Sequence, residues 1–401
     1  MELALYDPES GYYARAAQRS GRAGDFFTSV DVGPLFGELL EAQIAQMWDI
    51  LRQDSPSGSP VPPAFDLVEA GAGNGRLSAD ILRAARDQHP AFFDTIALHL
   101  VEASARARAA QAGTLGDLAS RLATSKPDLP ESFEGVLVAN ELLDALPVHQ
   151  VVMRDEGLRE VYVAAPSPRG SGDSVAGPLT LVEGPPSTPA LQEYLDRLDV
   201  RLEPGWRVEI NLRAVEWLRD AARRLRRGFF ILIDYGHEAR ELYSATHSAG
   251  TLTSFSGHTS AGPDAVGPAW LEQPGERDIT AHVDFTSVRR AAEDAGLTTI
   301  GFLDQTYFLL GLISSDANRQ SSSFVPQSSS SSNPPSSSSN SPSSSSNPLS
   351  LSSNPQSAIR NPQLKTLLLP GGLGSTMKVL ILGKNVGTPA LRGCSFSVRA
   401  T

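Results

Sequence analysis

Short apolar runs recur along the chain at Phe65 to Val68, Ile96 to Val101, Gly135 to Ala139, Phe229 to Ile233 and Met377 to Leu382. Each is too short for a helix and suits a strand buried on both faces. Segments with helical spacing separate them. Leu35, Phe36, Leu39, Leu40, Gln43, Met47 and Leu51 follow Gly33-Pro34, where proline fits a first helical turn. Leu77, Ile81, Leu82 and Ala85 share one helix face, and Ser104 to Ala112, Ala214 to Arg226 and Thr286 to Ala295 read as further helices. Gly228 and Gly296 stop the last two. Strands alternating with helices predict an α/β fold in which a doubly wound sheet carries helices on both faces.

Other stretches are less regular. Met1 to Thr28 is an aromatic-rich loop after a helix end at Met1 to Leu5; it is either a flap over a ligand or a packed surface loop, and its composition leans to the second. Residues 151–205 form an insertion in which VVMR and REVYVAA pair as a hairpin before a Gly/Pro/Ser-rich excursion. Thr298 to Leu312 is strand-like, then helical. From Ser314 to about Pro362 the chain turns to Ser, Asn and Pro, with too little apolar surface to offset chain entropy, so disorder is expected. The expected division is 1–313 as the main domain, 314–363 as the disordered segment, 364–385 as a last strand returning to the sheet, and 386–401 as an unstructured tail.

The most informative stretch is Phe65 to Leu82, FDLVEAGAGNGRLSADIL. A strand passes through Glu69 into glycines at alternate positions, Gly71, Gly73 and Gly75, and then into a helix. Glycine allows positive φ and a close ligand approach, and the free amides at the helix start would face that ligand. A dinucleotide fingerprint needs glycine where this chain has Arg76, and Glu69 would repel a pyrophosphate. An anion there suits a ligand with an ammonium group or hydroxyls, as in S-adenosyl-L-methionine (SAM). The bland alternative is a packing turn. Glu102, at the tip of the second strand, is the candidate partner for ribose hydroxyls. The third strand delivers Asn140, Glu141 and Asp144 to the same sheet edge, where a helix cap is the competing role for Asn140 or Asp144.

Charge and composition narrow the partners. A formal net charge of −11 over 401 residues argues against binding nucleic acid or an anionic membrane. Cys394 is the one cysteine, which excludes an intrachain disulfide and a cysteine metal cluster. His237, His247 and His258 are spaced too widely and irregularly to read as a metal site, so no metal is expected. With no long apolar span and no leader before Tyr6, a soluble cytoplasmic protein is the expectation.

YDPESGYY, GDFFTS, FGELL, LVEAGAGNGRLSADILRA, LVEAS, ANELLDALPVHQ, IDYGHEARELY, ERDITAHVDF and MKVLILGKN occur in order from Tyr6 to Asn385. In this series the chain resembles the MidA family of SAM-dependent methyltransferases, which includes a mitochondrial complex I assembly factor acting on arginine. The resemblance implies a seven-stranded Rossmann-like sheet with added helical and hairpin elements, SAM as cofactor, and a protein substrate of the respiratory-complex type. The chain departs from the family pattern at Ala72, Asn74, Leu142 and Leu143. Glu69, Gly71, Gly73, Gly75, Glu102 and Asn140 are the expected cofactor residues. Glu141 and Asp144 are the expected catalytic pair, since carboxylates can localise guanidinium charge and help a proton leave. Asp234, Tyr235, His282 and Asp284 are acceptor-side candidates. A small-molecule methyltransferase and a non-catalytic SAM-binding assembly factor are the alternatives.

Overall fold

Successive side chains of the apolar runs go to opposite faces of one sheet, and both faces are covered. The computed structural model describes residues 1–15, 28–53, 64–166, 178–256, 259–262, 269–322, 362–368 and 377–396. The main-sheet strands are β1 (Phe65–Ala70), β2 (Ile96–Val101), β3 (Leu122–Lys126), β4 (Phe133–Asn140), β5 (Leu225–His237), β6 (Thr298–Asp304) and β7 (Met377–Lys384). Their order is β6-β7-β5-β4-β1-β2-β3, and the two-residue strand Val283–Asp284 pairs beside the end of β5. Strands β1 to β5 are parallel, while β7 runs antiparallel to both β5 and β6. This is the seven-stranded Rossmann-like sheet that the family resemblance implies, and the apolar runs account for five of its strands. From β1 the chain runs outward to β2 and β3, then returns to β4 on the other side. The crevice at the carboxyl ends of β1 and β4 is therefore the topological switch point, where open α/β sheets bind ligands.

Helices α1 (Leu35–Gln53), α2 (Arg76–Gln88), α3 (Ala105–Leu115), α4 (Leu212–Arg224) and α5 (Phe285–Asp294) flank the sheet. Leu67, Val136, Ile231 and Ile381 pack with α1 and α2 on one face, and Val68, Leu137, Phe230 and Leu380 pack with α4 and α5 on the other. In β7, Met377, Val379 and Ile381 enter the first core while Leu380 and Leu382 enter the second. Ile381 is fully buried at the centre of this arrangement. Ile381→Ala should therefore cost roughly 2–5 kcal/mol of unfolding free energy. Urea titration of both forms checks this, and a loss under ~1 kcal/mol, the range of a tolerated volume-conserving swap, would contradict the packing of β7.

The expected hairpin pairs Val151 with Glu160 and belongs to a separate four-stranded antiparallel sheet, Thr180–Gly184, Gly157–Ala164, His149–Arg154 and Arg207–Ile210 in spatial order. Two boundaries differ from expectation. The helix Gln305–Ser322 runs past Ser314, because a helix packed through Phe308, Leu309 and Leu312 extends at the gain of one bond per residue fixed. The expected tail is ordered to Phe396: Leu391 is buried, and the Arg392 and Gly393 amides donate to Gln46 and Gln43 of α1, both at 2.9 Å. Any Cβ on Gly393 would meet the Phe308 ring. The rest of the Ser/Asn/Pro tract, the 54–63 linker, the Gly21 to Phe27 loop, His258 and most of the Gly/Pro/Ser-rich excursion lie outside the described residues.

Candidate active site

β1 ends at Ala70, and the chain turns through Gly71 and Gly73 at φ of 73° and 49° before Gly75, at 85°, caps α2. Side chains with a Cβ rarely hold such angles, so glycine is needed at these positions. The Gly71 and Ala72 amides donate to the Val101 carbonyl at 2.9 and 3.1 Å, which ties the turn to the end of β2. Glu102, the first residue beyond β2, accepts from the Gly73 amide at 2.8 Å and the Ser104 amide at 2.7 Å. Gln111 of α3 donates to the Gly73 carbonyl at 2.9 Å. Arg76, where a dinucleotide fold would have glycine, reaches across to Asp31 at 2.6 Å and to the Val30 carbonyl at 3.1 Å.

A cavity of about 370 Å³ opens above this turn. Glu69, Gly71, Gly73, Glu102, Asn140 and Glu141 line it, so the structure brings most of the expected cofactor residues together with one of the expected catalytic pair. Gly75 is not on its wall; it starts the helix behind. Asp144 is turned inward. It is buried, its carboxyl group meets that of Asp234, and its Oδ1 has no hydrogen-bond partner. Asp234 accepts from the amides of Leu142, Leu143 and Asp144 at 3.2, 2.7 and 3.4 Å and so holds the loop that carries Glu141. It does not line the cavity. Tyr235 packs against the first core. Asp284 caps α5, accepting from the Thr286 and Ser287 amides at 2.9 and 3.3 Å and from the Tyr194 hydroxyl at 2.8 Å. Its short side chain is consumed by that cap. His282 lies with His237 and His247, away from the cavity wall.

Carboxylates dominate the site. Burial pushes Glu69 up to about 7, although the Ser78 amide and hydroxyl oppose the shift. Burial, followed by the Asp144 charge, pushes Glu141 up to about 8. Burial raises Glu102 as well, and it brings Asp234 to about 7. Crowded acids of this kind fit a cationic ligand, which would restore their ionised forms. The Asn140 amide donates to Glu141 at 3.1 Å, while its own Oδ1 is a buried acceptor without a donor. The positively charged ammonium and sulfonium of SAM, its ribose hydroxyls and its donors therefore match the groups that face the cavity.

Tyr6, Tyr13, Thr28, Val30 and Trp217 also line the cavity, and none was among the expected site residues. The Tyr6 hydroxyl donates to the Ala145 carbonyl at 3.0 Å, and that of Tyr13 donates to Asp278 at 2.9 Å. The described part of the aromatic-rich amino-terminal segment is thus a wall of the site, against the surface-loop reading. The density of aromatics in YDPESGYY was the available signal.

The family described as "Putative S-adenosyl-L-methionine-dependent methyltransferase" matches residues 39–303. Protein arginine methyltransferase NDUFAF7, mitochondrial, of Mus musculus is 32% identical over 334 residues, spanning 77% of this chain and 68% of the relative. The Homo sapiens protein of the same name is 28% identical over 336 residues, with the same shares of 77% and 68%. A crystal structure of a Burkholderia thailandensis protein bound to S-adenosyl-homocysteine has a TM-score of 0.75 at 27% identity, covering 100% of this chain and 90% of that one. These relatives overturn the cytoplasmic expectation: the curated ones are mitochondrial proteins, and they point to the mitochondrion. Net charge does not distinguish the two compartments. Among the described residues no helix is long and apolar enough to cross a membrane. The glycine turn, the switch-point cavity and the family match lead to one conclusion, that this chain belongs to the SAM-dependent methyltransferases of that family.

Proposed function

We propose that the protein methylates an arginine side chain of another protein, and that Glu141 meets the guanidinium. The observation that carries this reading is the placement of Glu141. It follows β4 at a φ of 53°, on the wall of the cavity that also contains the glycine turn. A non-glycine residue in the left-handed region costs free energy, and such residues cluster where function requires them. The names of the curated relatives supply the acceptor class. A respiratory-complex subunit is the partner that the family resemblance implies.

When bound, SAM supplies a sulfonium methyl group that needs no activation by the protein. The chain's own residues hold and orient the reactants. Gly71 and Gly73 keep backbone close to the cofactor, Gly75 starts the helix behind them, Glu102 takes ribose hydroxyls, and Glu69 and Asn140 take its remaining donors. A guanidinium has no free lone pair. Hydrogen bonds to Glu141 would draw its charge to the far nitrogens and leave the attacking one nucleophilic. Methyl transfer would leave a surplus proton on that nitrogen, and the Glu141 carboxylate would accept it. Asp144 and Asp234 act behind it as positioning residues, holding the loop from Leu142 to Asp144.

A second concavity of about 390 Å³ adjoins the first and shares Tyr6, Leu146 and Trp217 with it. Glu2, Glu216 and Asp220 lie along it with Arg213, which pairs with Glu2, and the net acidic lining suits a basic peptide. Incubation with methyl-labelled SAM and a mitochondrial lysate, followed by mass spectrometry, tests the proposal. Label on protein arginine is the expected result. Label confined to small molecules would establish the small-molecule alternative, and SAM binding with no transfer would leave an assembly factor.

A further inference from the structure

A second cluster of chemistry-bearing side chains stands apart from the cavity. His237 ends β5, His247 lies on the turn Ala245–His247, and His282 sits between the short strands Asp278–Thr280 and Val283–Asp284. One ring nitrogen from each lies within 4.8 Å of the others, and the ring centroids are 4.9, 5.3 and 6.1 Å apart. Nδ1 of His282 is buried without a hydrogen-bond partner. Buried polar nitrogens normally have partners, so an orphan beside two other imidazoles needs a reason. His247 Nδ1 lies 3.1 Å from the Glu241 carbonyl, which holds the proton there and leaves Nε2 with a free lone pair. Glu241 also places Oε1 3.0 Å from His237 Nδ1, and its carboxylate is largely exposed, which leaves the cluster a path to solvent.

We propose that His237, His247 and His282 bind one divalent transition-metal ion of the zinc class, with Glu241 orienting the set or completing it. Neutral imidazoles select zinc-like ions over magnesium or calcium, which prefer oxygen. In a tetrahedral site the ligand nitrogens stand roughly 3.4 Å apart, so ring rotations of about an ångström would close this one. The ion would join three chain segments behind the acceptor side. His237 follows Asp234, which holds the Glu141 loop, and His282 follows Asp278, the partner of Tyr13 on the cavity wall. Since none of the three histidines lines the cavity, the ion would act as a staple and not in methyl transfer.

The test uses tag-free full-length protein, stripped with a chelator and titrated with zinc(II) by calorimetry. One equivalent should bind and raise the melting temperature, as any ligand selective for the native state does. Glu241→Gln should weaken binding roughly 10–100-fold, His237→Ala and His282→Ala by more, and His149→Ala not at all. Zinc binding that persists unchanged in both histidine variants, or no binding by the parent, would overturn the proposal. Should His282→Ala melt below the stripped parent, the cobalt(II) spectrum of the unsubstituted protein decides: intense visible bands of a tetrahedral nitrogen set support the site, and a spectrum like that of aqueous cobalt rejects it.

Discussion

Gly73→Val should leave no SAM binding measurable by calorimetry, with the fold intact by circular dichroism. Gly73 holds φ of 49°, and a β-branched residue there is a steric outlier costing roughly 1–3 kcal/mol. A turn that relaxes to relieve this strain rotates the amide that donates to Glu102 at 2.8 Å and the carbonyl that accepts from Gln111 at 2.9 Å. Both ends of the proposed cofactor cradle then move. A turn that does not relax projects the isopropyl group from the cavity wall, where no protein atom lies within 4 Å of a Cβ. Either route removes the space or the donor geometry that binding needs. Affinity equal to that of the parent would remove the glycine turn from the cofactor site.

For Glu141→Gln the expected pattern is a fall in methyl transfer of roughly 10²–10⁴-fold with SAM affinity nearly unchanged. The pH profile adds a sharper readout. Because burial and Asp144 push the carboxyl up to about 8, kcat/KM of the parent should rise with pH and level off above that value. The rising limb should vanish in the variant. Stability should move in the opposite sense. An acid with a raised native pKa binds its proton more tightly in the folded state, so its contribution to stability falls as pH climbs from about 4.5 to about 8. Glutamine removes that charge, and the variant should melt at or above the parental temperature in mildly alkaline buffer. A lower melting temperature would mark Glu141 as a structural group, and a parallel loss of cofactor affinity would move it to the cofactor site.

The sequence by itself determined most of the sheet and the glycine-turn half of the candidate site, for local reasons. A stretch of strand buried on both faces must be apolar, as at 135–139 of β4, 229–233 of β5 and 379–382 of β7, and this shows in any short window. Positive φ at Gly71 and Gly73 requires glycine, and Glu69 lies within the same few residues. The edge strand β3 escaped because its LATSK sequence has one neighbouring strand and little apolar character to display. Side-chain direction in the loop after β4 was not legible either. Glu141 and Asp144 are close in sequence, yet one faces the cavity and the other faces Asp234, a residue on another strand. Only the packing of β5 beside β4 decides between them. The aromatic wall from Tyr6 and Tyr13 and the ordered carboxyl-terminal turn at Gly393 depend in the same way on distant partners, Ala145, Asp278 and Gln43. The histidines show it most directly, since spacing along the chain grouped His237 and His247 with His258. The pairing of Val283 and Asp284 with the end of β5 brings His282 to His237 and His247, because strand pairing juxtaposes residues that no sequence interval relates.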